Sequence, residues 1–547
     1  MKLETVETDV LCVGGGIAGL MAAIRAREMG ARAIVVEKGN TMRSGAGATG
    51  NDHFMTYLPE VHGPDIKPII EEVQMSQSKG SNPAFVRKWV ENTTDIVRLW
   101  DSWGIPMKYK GQWEFAGHAF PGRPLIWLKY AGLTQKPVLT REARKRGAQI
   151  MNRVMVLDLL GGDGAVHGAI GVDTRGERLI EIRAKAVMLG TGRCVRLYPG
   201  ASPGWMSNLE HPFSNTGGGR AMAYRAGTEL ASMDIPRRWA GPKYFARCGK
   251  GTWVGLYRDP QGRPIGPFVS EPDKKYGDMT GDVYRTVFDD YARSGRGPVY
   301  MDCKGVSDED YEYMVYWLEQ EGNTALLDYM AQEGIDPRKN PVEFMTYGIA
   351  LHGGLYCDER GETSTRGLYA AGDELLAGGI SCAAVYGWIC GENAAKYAKE
   401  TDFSPAEKGE DRIEDKKRLI DEIRSRPVGA HWKEVNVAVQ QIMQDYAGAI
   451  RSDTILDAGL THLRRLREKA RNVMVASNHH ELMRCLEVLD LLDVGEMVLV
   501  SSKARKETRP GYQRPDYPFA NPLLDRQLLF IKQVDQQPVT YWKEIGR

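Results

Sequence analysis

The chain has 547 residues, and its 72 basic residues nearly cancel its 71 acidic ones, leaving a net charge of +1. That length allows several cores, and the balanced charge gives no global attraction to nucleic acid or an anionic membrane. The chain shows no uninterrupted apolar run long enough to span a bilayer, and Met1 to Thr8 is polar, so a cytoplasmic protein without a signal peptide or transmembrane segment is expected.

Taken in order, Val10-Leu11-Cys12-Val13 is a short apolar run of the kind found in a strand buried on both faces. Gly14, Gly16 and Gly19 follow in G-x-G-x-x-G spacing, Ala18 to Met29 reads as a helix, and Ala33 to Val36 as the next buried strand, closed by Glu37. Strand, glycine turn, helix, strand and acid in that order predict a dinucleotide site: the glycines admit the pyrophosphate and the helix start attracts it. Ala165 to Asp173 and Glu177 to Ile182 alternate like a hairpin, and the apolar Arg183 to Leu189 then runs into Gly190-Thr191-Gly192. Gly367 to Asp373 repeats the pattern of a strand ending in glycine and acid, and Ser381 to Lys399 has helical composition. Three separated segments thus end at what reads as one nucleotide-binding edge.

Between Asp234 and Pro341 the composition shifts toward Arg, Tyr, Trp and Gly with little period, which predicts an inserted domain. Asp411 to Arg424, Trp432 to Tyr446 and Thr454 to Ala476 carry apolar residues at helical spacing, and 505–547 reads as an extended, proline-containing tail. The expected division is a discontinuous dinucleotide domain at 1–233 and 342–403, an inserted domain at 234–341, and a helical domain with tail at 404–547. None of the eight cysteines is spaced C-x-x-C, so neither a zinc ribbon nor a cysteine-held iron–sulfur cluster is expected in this chain.

These segments resemble the flavoproteins of the fumarate reductase/succinate dehydrogenase family along nearly the whole chain. The resemblance is carried by "GGGIAGLMAA…VVEK", by "RSGAGATG" at Arg43 to Gly50, by "AKAVMLGTG" at Ala184 to Gly192 and by "TRGLYAAGDELLAGG" at Thr365 to Gly379. Within the family the adenylylsulfate reductase branch is the most similar, through "NRVMVLDLL" at Asn152 to Leu160, "GRGPVYMD" at Gly295 to Asp302 and "ETRPGYQRPDYP" at Glu507 to Pro518. The resemblance implies an α/β fold: a Rossmann-like FAD-binding domain with an inserted α+β capping domain and a C-terminal helical domain. It implies a resident FAD contacted by Gly14, Gly16, Ala18, Gly19, Glu37, Lys38, Arg43, Ser44, Gly45, Gly50, Val156, Gly190, Thr191, Gly192, Asn215, Gly217, Asp373 and Ser381. Gly45 stands where succinate dehydrogenases carry the histidine that bonds to FAD, so a non-covalent flavin is expected.

The resemblance also implies a small anionic substrate and a ferredoxin-like iron–sulfur subunit, hence a hetero-oligomer. His352, before Gly353-Gly354, matches the substrate-side histidine, and Arg237, Arg238 and Arg247 lie where the branch has its catalytic arginine. Trp239, Tyr244 and Trp253 are candidates to stack on a planar group or to fill the cap core. "LLAGGISCAAVYGW" lacks the arginine by which fumarate reductases clamp a dicarboxylate. Counted without gaps, Met55 falls where the branch places an asparagine, while Asn51, Asp52 and His53 come earlier. The expected activity is two-electron chemistry at FAD with electrons exchanged with the iron–sulfur partner. Reduction of an activated C=C bond and a pure electron-transfer role are the alternatives.

Overall fold

The computed structural model describes all residues except 77–79, 118–121, 163, 201, 203–205, 207, 246–251, 267–270, 273, 275–285, 405–408 and 546–547. Its centre is a seven-stranded sheet. Lys2–Val13 runs parallel to Ala33–Glu37 on one side and to Arg178–Leu189 on the other, and Leu368–Ala370 runs parallel to the end of Arg178–Leu189. These four strands therefore finish at the same edge, where open α/β sheets bind their ligands. Every residue of Ala33–Glu37 is buried, as a strand covered on both faces requires. The hairpin Ala165–Asp173 and Arg178–Leu189 forms as expected, but its second arm and the apolar run after it are one continuous strand.

The helix Ile17–Glu28 packs against Ile380–Glu400 on one face of the sheet. Close approach comes from small residues: Gly387 and Gly391 meet the backbone of Ala18 and Ala22. The cap is a four-stranded sheet, in the order Leu256–Arg258, Val299–Asp302, Val342–Thr346, Ala240–Pro242, around Trp253, Tyr257, Met301 and Phe344. Its third strand, Val342–Thr346, lies past the expected boundary at 341, because its pairing with Val299–Met301 belongs to the cap.

Helices Glu410–Ser425, Trp432–Tyr446 and Asp453–Val473 occupy the charged C-terminal stretch. A further helix, His479–Ala504, is buried on nearly every face and runs through the middle of them. The tail is more ordered than its sequence suggests. Gln527–Val534 and Gln537–Glu544 form a hairpin that pairs with Leu230–Ala231, burying Leu528 and Phe530 beside Leu376.

Candidate active site

The shared sheet edge opens into a cavity. It is lined by the strand ends Val13, Val36 and Ala371, by Gly14, Gly16 and Ile17, by Gly45 to Gly47, by Val154 to Val156 and by Gly190 to Gly192. Gly14 holds φ +95°, and a Cβ there would come within 2.5 Å of the Gly190 carbonyl, so only glycine lets the two turns meet. Three helices begin on the cavity wall: Ile17–Glu28 after Gly16, Gly218–Arg225 after Gly217, and Ile380–Glu400 after Gly379. Their free amides and dipoles favour an anion, and a pyrophosphate meets that requirement. Glycine lining and electrostatics both fit FAD.

Of the expected flavin contacts, Gly14, Gly16, Ala18, Glu37, Lys38, Gly45, Val156, Gly190, Thr191, Gly192, Asn215 and Asp373 line this cavity. The others do not. Gly19 lets the first helix lie on the Gly14 carbonyl, and Gly50 packs under the Gln320 carbonyl of the cap. Gly217 precedes a helix and abuts Cys194, while the Ser381 hydroxyl accepts from Trp89 Nε1 at 2.9 Å. Ser44 Oγ donates to the Asn40 carbonyl, and Arg43 is exposed. Glu37 is buried, with Oε2 accepting from the Gly15 amide at 2.8 Å and Oε1 from the Gly39 amide at 2.7 Å. Lys136, unanticipated from sequence, is fully buried beneath the same turn and donates to the Gly15 carbonyl; burial pushes its ammonium down to about 8.

The far C-terminal helix also reaches the cavity. Asp490 lines it, with Oδ1 3.0 Å from Arg225, and burial pushes its carboxyl up to about 6 despite that arginine. One turn earlier, Glu487 accepts from Lys38 Nζ and from Arg196, each at 2.8 Å.

A second group of buried cations organises the Asp373 end. Arg220 donates to the carbonyls of Gly192 at 2.8 Å, Asp373 at 2.6 Å and Gly353 at 3.1 Å, joining three chain segments. Arg193 donates to Asp373 Oδ1 at 2.5 Å and to the Leu351 carbonyl at 3.2 Å. His352 thus sits between two residues whose carbonyls are each held by a buried arginine, and its own amide donates to Ile235. Burial works to raise the Asp373 pKa, but Arg193 and His211 outweigh it and hold the carboxyl below its usual range.

The Trp239 ring contacts two guanidinium groups, that of Arg193 5.3 Å from its centroid and that of Arg237 5.0 Å away. The His211 ring is 5.2 Å from Trp239, and its Nε2 is 3.8 Å from Asp373 Oδ2. Arg237 pairs across strands with Ala350, close to His352, whereas Arg238 is paired with Asp289 at 2.9 Å. Arg247 lies outside the described residues. Trp253 is core and Tyr244 is exposed, leaving Trp239 as the aromatic at the site. Arg193 reaches Gly378, just before the Ile380–Glu400 helix, from another segment of the chain. "GTGRCVR" offered the only sequence signal for Arg193, a cation directly after the glycine turn.

The cap meets its base through a buried charge. Asp52 is completely buried and accepts from Lys129 at 2.5 Å, from Thr252 of the cap at 2.8 Å, and pairs with His53 Nδ1 at 2.5 Å. Burial works to raise the Asp52 pKa, but Lys129 and His53 overcome it and hold it well below the carboxylate range. Asp52, His53 and Glu321 bring ligand-type atoms within 4.8 Å of one another, but the Lys129 ammonium already neutralises Asp52, so this is an ion-pair seam. Met55 is core, and the Asn51 side chain accepts from Gln135, whose amide also holds the Gly47 carbonyl.

Cavity, strand edge and helix starts define a nucleotide-binding flavoprotein of the α/β class. Residues 9–385 match the FAD binding domain family, and residues 436–539 match the fumarate reductase flavoprotein C-terminal family. The chain belongs to the FAD binding domain family and is an FAD-dependent oxidoreductase flavoprotein of the fumarate reductase group. One chain of the CoM/CoB fumarate reductase of Methanothermobacter marburgensis is 25% identical over 98% of this chain and 99% of its own length. Adenylylsulfate reductase from Archaeoglobus fulgidus superimposes with a TM-score of 0.88 at 22% identity, covering 100% of this chain and 96% of that one. E. coli quinol fumarate reductase gives 0.83 at 21% identity, over 100% and 97%. No helix among the described residues is long and apolar enough to cross a membrane.

Proposed function

We propose that this chain is the flavin-bearing subunit of a two-electron oxidoreductase acting on a small anion, with a separate iron–sulfur subunit exchanging the electrons. FAD would lie non-covalently in the cavity. Its adenosine would sit by Glu37, Lys38 and Val156, its pyrophosphate over Gly14, Gly16 and Gly45, and its flavin end toward Gly190 to Gly192 and Asp373. The flavin supplies the two-electron step, while the chain binds and orients the substrate and excludes water. The observation carrying this reading is the Arg193–Trp239–Arg237 stack beside Asp373 and His352. It would set two guanidinium groups, one of them paired with Asp373, beside the flavin end, where an anion needs oriented donors. His352 would serve as a hydrogen-bond or proton-transfer partner.

The seven described cysteines are all buried and unpaired, and burial raises the thiol pKa of each. They are poor cluster ligands, which supports placing the iron–sulfur relay in another chain. Anaerobic titration of the FAD-loaded protein with fumarate and with sulfite, followed by the flavin spectrum, tests the site. One of these anions should perturb the spectrum, and Arg193→Lys should weaken that response by about 10- to 100-fold, the loss expected for a charge-assisted hydrogen bond. A spectrum indifferent to both anions refutes the anion site. A native pull-down lacking any iron–sulfur protein refutes the proposed partner.

A further inference from the structure

Glu210 stands on the loop that builds this site, and the reading above gives it no role. Only 8% of its surface is exposed, and neither carboxyl oxygen has a hydrogen-bond partner. The Nε of the equally buried Arg193 has none either. A native interior rarely leaves donor and acceptor both unmet, because each orphaned group costs about 1–3 kcal/mol. Groups left so in a binding site are the ones a ligand satisfies. The loop fixes where they stand: Leu209 packs with Val195, Ala350 and Trp239, and His211 faces Trp239 and Asp373. The charged group acting on Glu210 is Arg193, which binds Asp373 and lies over the Trp239 ring as Arg237 does, and His211 is the next residue along the loop.

Burial pushes the Glu210 carboxyl up to about 7, with its own backbone amide and then Arg193 working in the opposite direction. Both favour the ionised form, but burial outweighs them, and no other side chain hydrogen-bonds to its oxygens. A carboxyl that is neutral near pH 7 is a donor, and a general acid needs its pKa near the working pH.

We propose that Glu210 is the acid of the anion site, holding a proton at rest and passing it to the bound substrate. This rests on the anion-site reading. The proton leaves a Glu210 carboxyl oxygen for a basic atom of the substrate as that atom gains charge. The carboxylate left behind accepts from the Arg193 Nε–H and recovers its proton from solvent. The same guanidinium would thus orient the substrate and hold the conjugate base.

Two readouts on the FAD-loaded protein test this. Infrared difference spectra of wild type minus Glu210→Gln should show a protonated-carboxyl stretch that fades as pH rises through about 7. With reduced viologen as electron donor and fumarate as substrate, Glu210→Gln should lower kcat by at least about 100-fold with little change in KM, and abolish the alkaline limb of the profile. Glu210→Asp, which keeps the acid on a shorter stem, should recover part of the rate and guards against misfolding of the first variant. A missing carboxyl band, or a Glu210→Gln profile like wild type alongside an impaired Arg193→Lys, overturns the role of Glu210 and leaves the anion site standing. A wild-type protein that binds neither fumarate nor sulfite overturns both.

Discussion

Replacing Lys129 by Met tests whether charge holds the cap on its base. Lys129 is 1% exposed, and its Nζ is 5.4 Å from the Trp317 ring centroid, so methionine keeps the apolar packing and removes only the ammonium. Asp52 then keeps Thr252 and His53 but loses its ammonium partner inside a buried seam. Breaking a buried pair from one side costs about 3–5 kcal/mol, because the remaining charge is uncompensated. Asp52→Leu combined with Lys129→Met removes both charges and should return to within about 1 kcal/mol of wild type. A chain with several domains does not unfold in one step, so the assay is hydrogen exchange read separately in the cap, at Val299–Asp302 and Asp308–Gln320. A held-down carboxyl stabilises above its unfolded pKa, and that contribution is lost as pH falls through its lower native value. The gap between wild type and Lys129→Met should therefore close on acidification. Cap protection in Lys129→Met within about 1 kcal/mol of wild type at neutral pH would refute the latch.

Gly14→Ala forces a side chain into φ +95° against the Gly190 carbonyl, a strain of at least about 1–2 kcal/mol, and should lower FAD retention on dialysis about tenfold or more; unchanged retention would refute the crossing of the turns. Asp490 binds its proton more tightly folded than unfolded, so the apoprotein should lose stability as pH rises from about 4 to about 6. Asp490→Asn should flatten that slope in the hydrogen-exchange protection of His479–Ala504 taken across the window, and an unaltered slope would show that the carboxyl is not raised. Burial pushes the thiols of Cys12, Cys194, Cys303 and Cys485 up to about 12, so peptide mapping after brief alkylation at pH 8 should find all four unlabelled until the protein unfolds.

The nucleotide half of the site was legible because its signals are local. A glycine turn, a strand and a helix start occupy neighbouring residues, and each carries its own periodicity or spacing. The substrate half is assembled across the chain, and sequence could not sort its arginines. Arg237 and Arg238 are adjacent, but only Arg237 lies in the strand, paired with Ala350 and stacked on Trp239, while Arg238 falls just past its end and pairs with Asp289. Arg193 and Arg220 carry little local signal, because a buried arginine looks like a surface one until partners over a hundred residues away are known, and nothing in the sequence around Glu210 marks it as buried. The helix His479–Ala504 escaped for a related reason: apolar residues on every face leave no amphipathic stripe to read. Glu37 shows the limit of motif reading even where the motif is right, since its carboxylate braces the Gly15 and Gly39 amides of the turn itself.

The cavity wall runs from Val13 to Asp490, and Lys38 is tied across it to Glu487. A nascent chain that has left the ribosome only through the end of the sheet therefore carries the glycine turn but not the completed pocket. The wall of this pocket is complete only after nearly all of the polypeptide has been synthesised, and a chain cut short before Asp490 lacks part of it.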